Sequence, residues 1–161
     1  MRISAVAVFS LILLSFTSGC MPKKKEVRIV PLGEKAEIGP FIYQAYETRW
    51  LHTLGDRTAK DRFFIIRVSV VNSGSQELTI PSLEVVDDEG NSFPELSDGT
   101  GVDKWLGVTR KVGVANTEQG NVVFDVPLKH YRLKVSDDND NFMYFDVPLS
   151  LASEDPNAGK P

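Results

Sequence analysis

"FFIIRVSVVNSG", residues 63–74, decides the fold. Phe64, Ile66, Val68 and Val70 alternate with Ile65, Arg67, Ser69 and Val71, and the run stops at Asn72, Ser73 and Gly74. Period-two alternation puts successive side chains on opposite faces of an extended chain, so this stretch is a strand with one apolar face and a turn at its end. The other face carries Phe63, Ile65 and Val71 beside Arg67 and Ser69, and is expected to be partly covered.

The neighbouring sequence reads the same way. "QELTIPSLEVVDDEGNSF" continues as a second strand, broken or placed at an edge by Pro81, which returns through Asp88, Glu89 and Gly90. "NVVFDVPL" and "YRLKVSDDNDNFMYFDVPL" supply three more extended runs, the last two joined by the polar DDNDN. Upstream, "AEIGPFIYQAYETRW" contributes one or two strands rich in β-branched and aromatic residues. The pentapeptide FDVPL occurs at 124–128 and again at 145–149 without matching flanks, which reads as two similar strand ends, each closed by a proline. No stretch after residue 26 holds a 3.6-residue apolar period. The expectation is an all-β, immunoglobulin-like antiparallel sandwich of about seven strands.

The 161 residues allow one domain with appendages, and 42% apolar with 25% charged residues is ordinary globular composition. A net charge of −4 argues against nucleic acid as a partner, because phosphates call for a basic surplus. The single cysteine forms no internal disulfide and no thiolate cluster.

That cysteine, Cys20, sits where an apolar run ends. Arg2 precedes an apolar stretch from Ala5 to Phe16, interrupted by Ser10 and Ser15, which is too short for a membrane span of roughly 20 residues. Thr17, Ser18 and Gly19 then lead to Cys20. The arrangement resembles the bacterial lipoprotein signal, with Thr17 standing where leucine is usual. The resemblance implies cleavage before Cys20 and acylation of its thiol; the plainer alternative is an ordinary secretory signal, or a signal anchor, with an incidental cysteine. Met21 follows, not the aspartate that retains many such proteins at the inner membrane, so an outer-membrane or periplasm-facing position is expected in a Gram-negative cell. The domain map is a signal peptide at 1–19, lipidated cysteine and tether at 20–31, the sandwich at 32–151, and a disordered tail at 152–161.

"FIIRVSVVNSGSQELTIPSLEVVDDEGNSF", followed by "GNVVFDVPLKHYRLKVSD", resembles the domain-of-unknown-function family 4352. Asn72, Gly74, Asp87, Gly90, Gly120, Phe124 and Pro127 occupy the turn and core places of that pattern. The resemblance implies an extracytoplasmic, telokin-like sandwich, frequent on lipoproteins. It supplies no catalytic residue, and no enzyme activity is expected.

Chemistry-bearing residues are sparse. His52 and His130 have no recognisable nucleophile and third partner. Asp137, Asp138 and Asp140, with Asn139 and Asn141, are the candidate calcium ligands, yet a calcium loop starting at Asp137 would need glycine where Phe142 stands and glutamate where Pro148 stands. Aspartate and asparagine are also the residues of turns. No metal or other cofactor is therefore expected. The candidate partner-binding residues are Trp50 and Leu51 in "ETRWLHTLGDRTAKD" and Trp105 and Leu106 in "DGTGVDKWLGVTRK", both read as connections. The alternative is that these tryptophans fold back to cap the core. The sequence is thus expected to encode a lipid-anchored, non-catalytic module of the bacterial envelope. Its partners would be the membrane, through the anchor, and an envelope protein, peptide or surface polymer. A sensor of a small molecule or metal ion is the alternative.

Overall fold

The computed structural model describes residues 27–149 apart from 138 and 140. The signal segment, Cys20, most of the tether, the C-terminal tail and the candidates Asp138 and Asp140 lie outside the described residues.

Eleven strands and no helix are found among the described residues: β1 (Ile29–Pro31), β2 (Lys35–Ile38), β3 (Phe41–Leu54), β4 (Arg57–Asn72), β5 (Leu78–Thr79), β6 (Glu84–Asp87), β7 (Ser92–Pro94), β8 (Lys111–Val112), β9 (Thr117–Asp125), β10 (Tyr131–Ser136) and β11 (Phe142–Val147). A five-stranded sheet in the order β1-β11-β10-β6-β7 packs on a four-stranded sheet, β2-β3-β4-β9, and β5 pairs with β8 at the side. The all-β sandwich is as the alternation requires. The count exceeds seven because the second strand breaks at Pro81 into β5 and β6, and because short pieces close the edges. One further expectation is corrected. Residues 29–31, assigned to the tether, form β1, which runs parallel to β11 with Ile29 opposite Tyr144, so the sheet is antiparallel except at that edge.

Between the sheets lie Phe64, Ile66, Val68 and Val70 of β4, all essentially inaccessible to solvent, with Val122 and Phe124 of β9 and Leu133 and Phe145 of the facing sheet. Trp50, Phe64, Phe93 and Tyr131 form the aromatic centre of this core: Trp50 stacks on Phe64 at 4.0 Å, and Phe93 meets Tyr131 edge-on at 5.9 Å. Tyr131 keeps its polar end satisfied by donating its hydroxyl hydrogen bond to the Pro127 carbonyl at 2.9 Å. Burial pushes that hydroxyl's pKa up to about 12.

The outer face of the four-stranded sheet has a second core. Leu54, Phe63, Ile65 and Val123 form a separate cluster with Leu51, Leu96 and Val102 packed on it. The cover is the loop between β7 and β8. Its Leu96 N–H donates to the Val123 carbonyl at 2.8 Å, and Leu106 and Lys104 exchange hydrogen bonds with Asn121, so the loop also pairs with the free edge of β9. Gly120 is required there, because a Cβ would lie 2.6 Å from the Lys104 carbonyl oxygen.

The loop is closed at its base by a buried ion pair. Arg110 donates two hydrogen bonds to Glu95, Nη1 to Oε2 at 2.8 Å and Nη2 to Oε1 at 2.7 Å, with both side chains buried. Arg110 also donates to the carbonyls of Pro81 (3.0 Å) and Gly107, and Glu95 accepts the Leu83 N–H at 2.8 Å. Two connections, β5–β6 and β7–β8, meet on this one pair. Arg110→Met is expected to cost about 3–5 kcal/mol, because it strands a buried carboxylate, while adding Glu95→Leu to it should restore part of the loss. Urea denaturation of the two variants beside wild type reads this directly.

Candidate functional site

The four expected partner-binding residues do not share a surface. "ETRWLHTLGDRTAKD" is not a connection: β3 runs on to Leu54 and β4 begins at Arg57, leaving the two-residue turn Gly55–Asp56. A β-bulge between Ala45 and Glu47 changes which residues face inward, from Tyr43 and Ala45 before it to Trp50 after it. Trp50 is 7% exposed and belongs to the inner core, and Leu51, the next residue, points to the opposite face and joins the outer cluster. Trp105 is half-buried on Gly99, where a Cβ would run into its ring, and its backbone bridges to Asn121. Leu106 packs against the inner core. The capping alternative accounts for both tryptophans.

The acidic turns are two copies of one device. Asp87 Oδ1 accepts the N–H groups of Glu89 (3.0 Å) and Asn91 (2.8 Å), and its Oδ2 accepts Asn91 Nδ2 at 2.9 Å. Asp137 Oδ1 accepts the N–H groups of Asn139 (2.9 Å) and Asn141 (3.3 Å), and its Oδ2 accepts Asn141 Nδ2 at 2.9 Å. In each, an aspartate accepts hydrogen bonds from the second and fourth residues after it and so builds the hairpin turn. This turn chemistry accounts for Asp137, whose carboxylate points back into its own hairpin. Among the described residues no group of three or more His, Cys, Asp or Glu side chains is placed to hold a metal ion.

Lys129 adds a salt bridge to Asp87 at 2.6 Å and another to Glu89 at 3.1 Å. Burial raises the Asp87 pKa, but hydrogen bonds from Lys129 and Asn91 more than offset it and hold this carboxyl well below the ordinary carboxylate range. The same contacts with Asp87 and Glu89 raise the Lys129 pKa above its ordinary value. His130 lies between two acids, Nδ1 3.1 Å from Asp88 and Nε2 2.9 Å from Asp146. The two contacts link β11 to the β6–β7 turn. His52 is exposed on β3.

What stays open is the other half of the four-stranded sheet's outer face. Gln44, Ser69 and Gln119 stand in one row across β3, β4 and β9 by register, and with Tyr46 they line a shallow depression of about 350 Å³. Gln119 donates to the Tyr46 hydroxyl, and the Arg67 guanidinium lies 5.5 Å from the Tyr46 ring. The depression presents amides, hydroxyls and an aromatic ring, a set suited to a hydrogen-bonding ligand. It was not legible in the sequence, where these residues appear only as the polar half of an alternation.

Comparison with known proteins agrees with this picture of the fold. Residues 30–144 match the family described as "Domain of unknown function (DUF4352)", and the chain belongs to that family. A comparison with curated proteins finds no significant relative. Among solved structures the chain is similar to the yjhA protein of Bacillus subtilis, with a TM-score of 0.60 and 17% identity over 74% of this chain and 99% of that one. It is similar to a "putative lipoprotein (ycdA)" of Bacillus subtilis, with a TM-score of 0.59 and 11% identity over 71% of this chain and 38% of that one. The secreted protein MPT63 of Mycobacterium tuberculosis is a further neighbour, with a TM-score of 0.57 and 10% identity over 76% and 99%. At these identities the likeness is one of fold.

Two outcomes are expected here. A depressed folded pKa makes the Asp87 contribution complete above the ordinary value of 3.8 and lost as pH falls below it toward the folded value. Asp87→Asn should therefore melt below wild type at neutral pH, with the gap closing below about pH 4 in a melting series. Trp105→Ala should cost about 2–3 kcal/mol, less than a fully buried tryptophan would, and should speed hydrogen exchange at the Leu106 and Asn121 amides. Unchanged stability with slow exchange would return Trp105 to the list of free partner anchors.

Proposed function

We propose that this DUF4352 chain is a lipid-anchored, non-catalytic module of the bacterial cell envelope that binds an envelope protein, peptide or surface polymer. The observation that carries the reading is the junction at Cys20, where an apolar run and three small residues meet the sole cysteine seven positions before the first described residue, Val27. Two or three acyl chains on that cysteine would hold the domain stably, where one is marginal. The fold neighbours described as secreted or as a lipoprotein support an extracytoplasmic position, outer-membrane or periplasm-facing if the cell is Gram-negative. No helix among the described residues is long and apolar enough to cross a membrane.

The partner surface assigned in this reading is the depression of Gln44, Tyr46, Ser69 and Gln119, which takes the place of the tryptophans. It is built on the paired strands β3, β4 and β9, its walls are polar, and it lies on the face that the β7–β8 loop leaves uncovered. The non-catalytic part of the reading is supported by the absence, among the described residues, of any recognisable nucleophile–base arrangement around His130, whose ring nitrogens lie against Asp88 and Asp146.

Cys20→Ser is expected to abolish palmitate labelling and to move the chain out of the membrane fraction. Ser69→Arg, filling the depression, should leave labelling and melting temperature unchanged while removing the cross-linked partner or polymer recovered from intact cells. A Cys20→Ser chain that still labels and fractionates with membranes defeats the anchor. Undiminished cross-linking by a folded Ser69→Arg chain defeats the surface.

A further inference from the structure

We infer that the corner formed by β1 and β11 lies against the lipid bilayer. This rests on the reading of Cys20 as the lipidated residue, and it concerns how the domain is held once tethered. Val27 is 43% exposed, Ile29 53% and Phe142 38%. The parallel register sets Ile29 opposite Tyr144, and continuing it sets Val27 beside Phe142, so the four side chains are neighbours on the outer face of the five-stranded sheet. Phe142 and Tyr144 meet edge-on at 5.7 Å, and the Lys134 ammonium lies 5.3 Å from the Phe142 ring while paired with Glu84 at 2.6 Å. A contiguous apolar and aromatic patch of this kind on a soluble domain marks a contact surface.

The bilayer is its occupant because of where the chain enters. Val27 lies seven positions after Cys20, a separation that spans at most about 25 Å when fully extended. The patch therefore starts within that distance of the acyl chains in any orientation of the domain. Lys23, Lys24, Lys25 and Arg28 fall on the same short stretch of sequence, and basic residues beside an anchor are drawn to anionic lipid. Phenylalanine and tyrosine at the rim of an apolar patch suit the headgroup layer. The Gln44–Gln119 depression is on the outer face of the other sheet, so a domain resting on this corner keeps it accessible to the aqueous side.

The test uses the full-length chain purified from bacterial membranes and reconstituted into phosphatidylcholine–phosphatidylglycerol vesicles. Because Cys20 is the sole cysteine, acylation leaves no thiol, and an introduced cysteine takes a thiol-reactive fluorophore alone. Labels go at Phe142→Cys, at Ile29→Cys, and at Asp56→Cys in the β3–β4 turn. Tyr43 donates to the Ser136 carbonyl at 2.9 Å, which places the Phe41 end of β3 beside the end of β10 that leads to Phe142, so Asp56 is at the far end. Brominated lipid is expected to quench the labels at 142 and 29 and to spare the label at 56. Equal quenching at all three positions, or none at any, overturns the inference while the anchor stands. Dye uptake by the wild-type chain reveals a free Cys20 thiol and overturns the anchor and the corner together. Energy transfer between labels at 142 that grows with protein density and ignores brominated lipid overturns it in favour of a second copy of the chain.

Discussion

The bidentate pair between Glu95 and Arg110 holds the rest of the structure in place. The two residues bracket the β7–β8 loop, and because both side chains are buried the pair cannot open without leaving a desolvated charge behind. With the base closed, the loop lies along β9, supplies the hydrogen bonds that a free edge would lack, and keeps Phe63 and Ile65 dry. Backbone carbonyls of Pro81 and Gly107 and the N–H of Leu83 complete the network, so the same pair also positions the break between β5 and β6. It acts as a non-covalent clasp in a domain whose described residues include no cysteine.

The turns follow a local rule. Asn72 donates from Nδ2 to the carbonyls of Gln76 and Val112 and accepts the Gly74 N–H, which ties the end of β4 to β8. Asp87 and Asp137 each accept hydrogen bonds from the second and fourth residues after them on one carboxylate. These buried polar side chains replace water for backbone groups that no ladder reaches. These bonds give Asn72 and Asp87 a structural part at the turns.

The two outer faces divide the labour in the functional reading. One half of the four-stranded sheet is sealed by the clasped loop, and the remaining half is polar and concave. The five-stranded sheet instead exposes apolar and aromatic residues at the corner where the chain arrives from Cys20. In the proposed reading, a domain tethered at that corner would keep the depression on the opposite sheet open to a partner.

The sequence by itself determined the inner core and the strand plan. Strict alternation in β4, Asn72 and Gly74 at its end, the Pro81 break, and the paired runs of β9 to β11 all follow from short-range constraints that period and turn chemistry express directly. The proposed address signal at Cys20 rests likewise on local residues. Trp50 was misplaced because one extra residue in a bulge reverses the inward set, and alternation carries no record of which residue is extra. The clasp was not legible at all. Glu95 and Arg110 are separated by a loop without periodicity, and each alone reads as a solvated charge. Whether a polar residue is open, as at Gln44 and Gln119, or an apolar one is covered, as at Phe63, depends on where that distant loop comes to rest, and only the tertiary structure decides it.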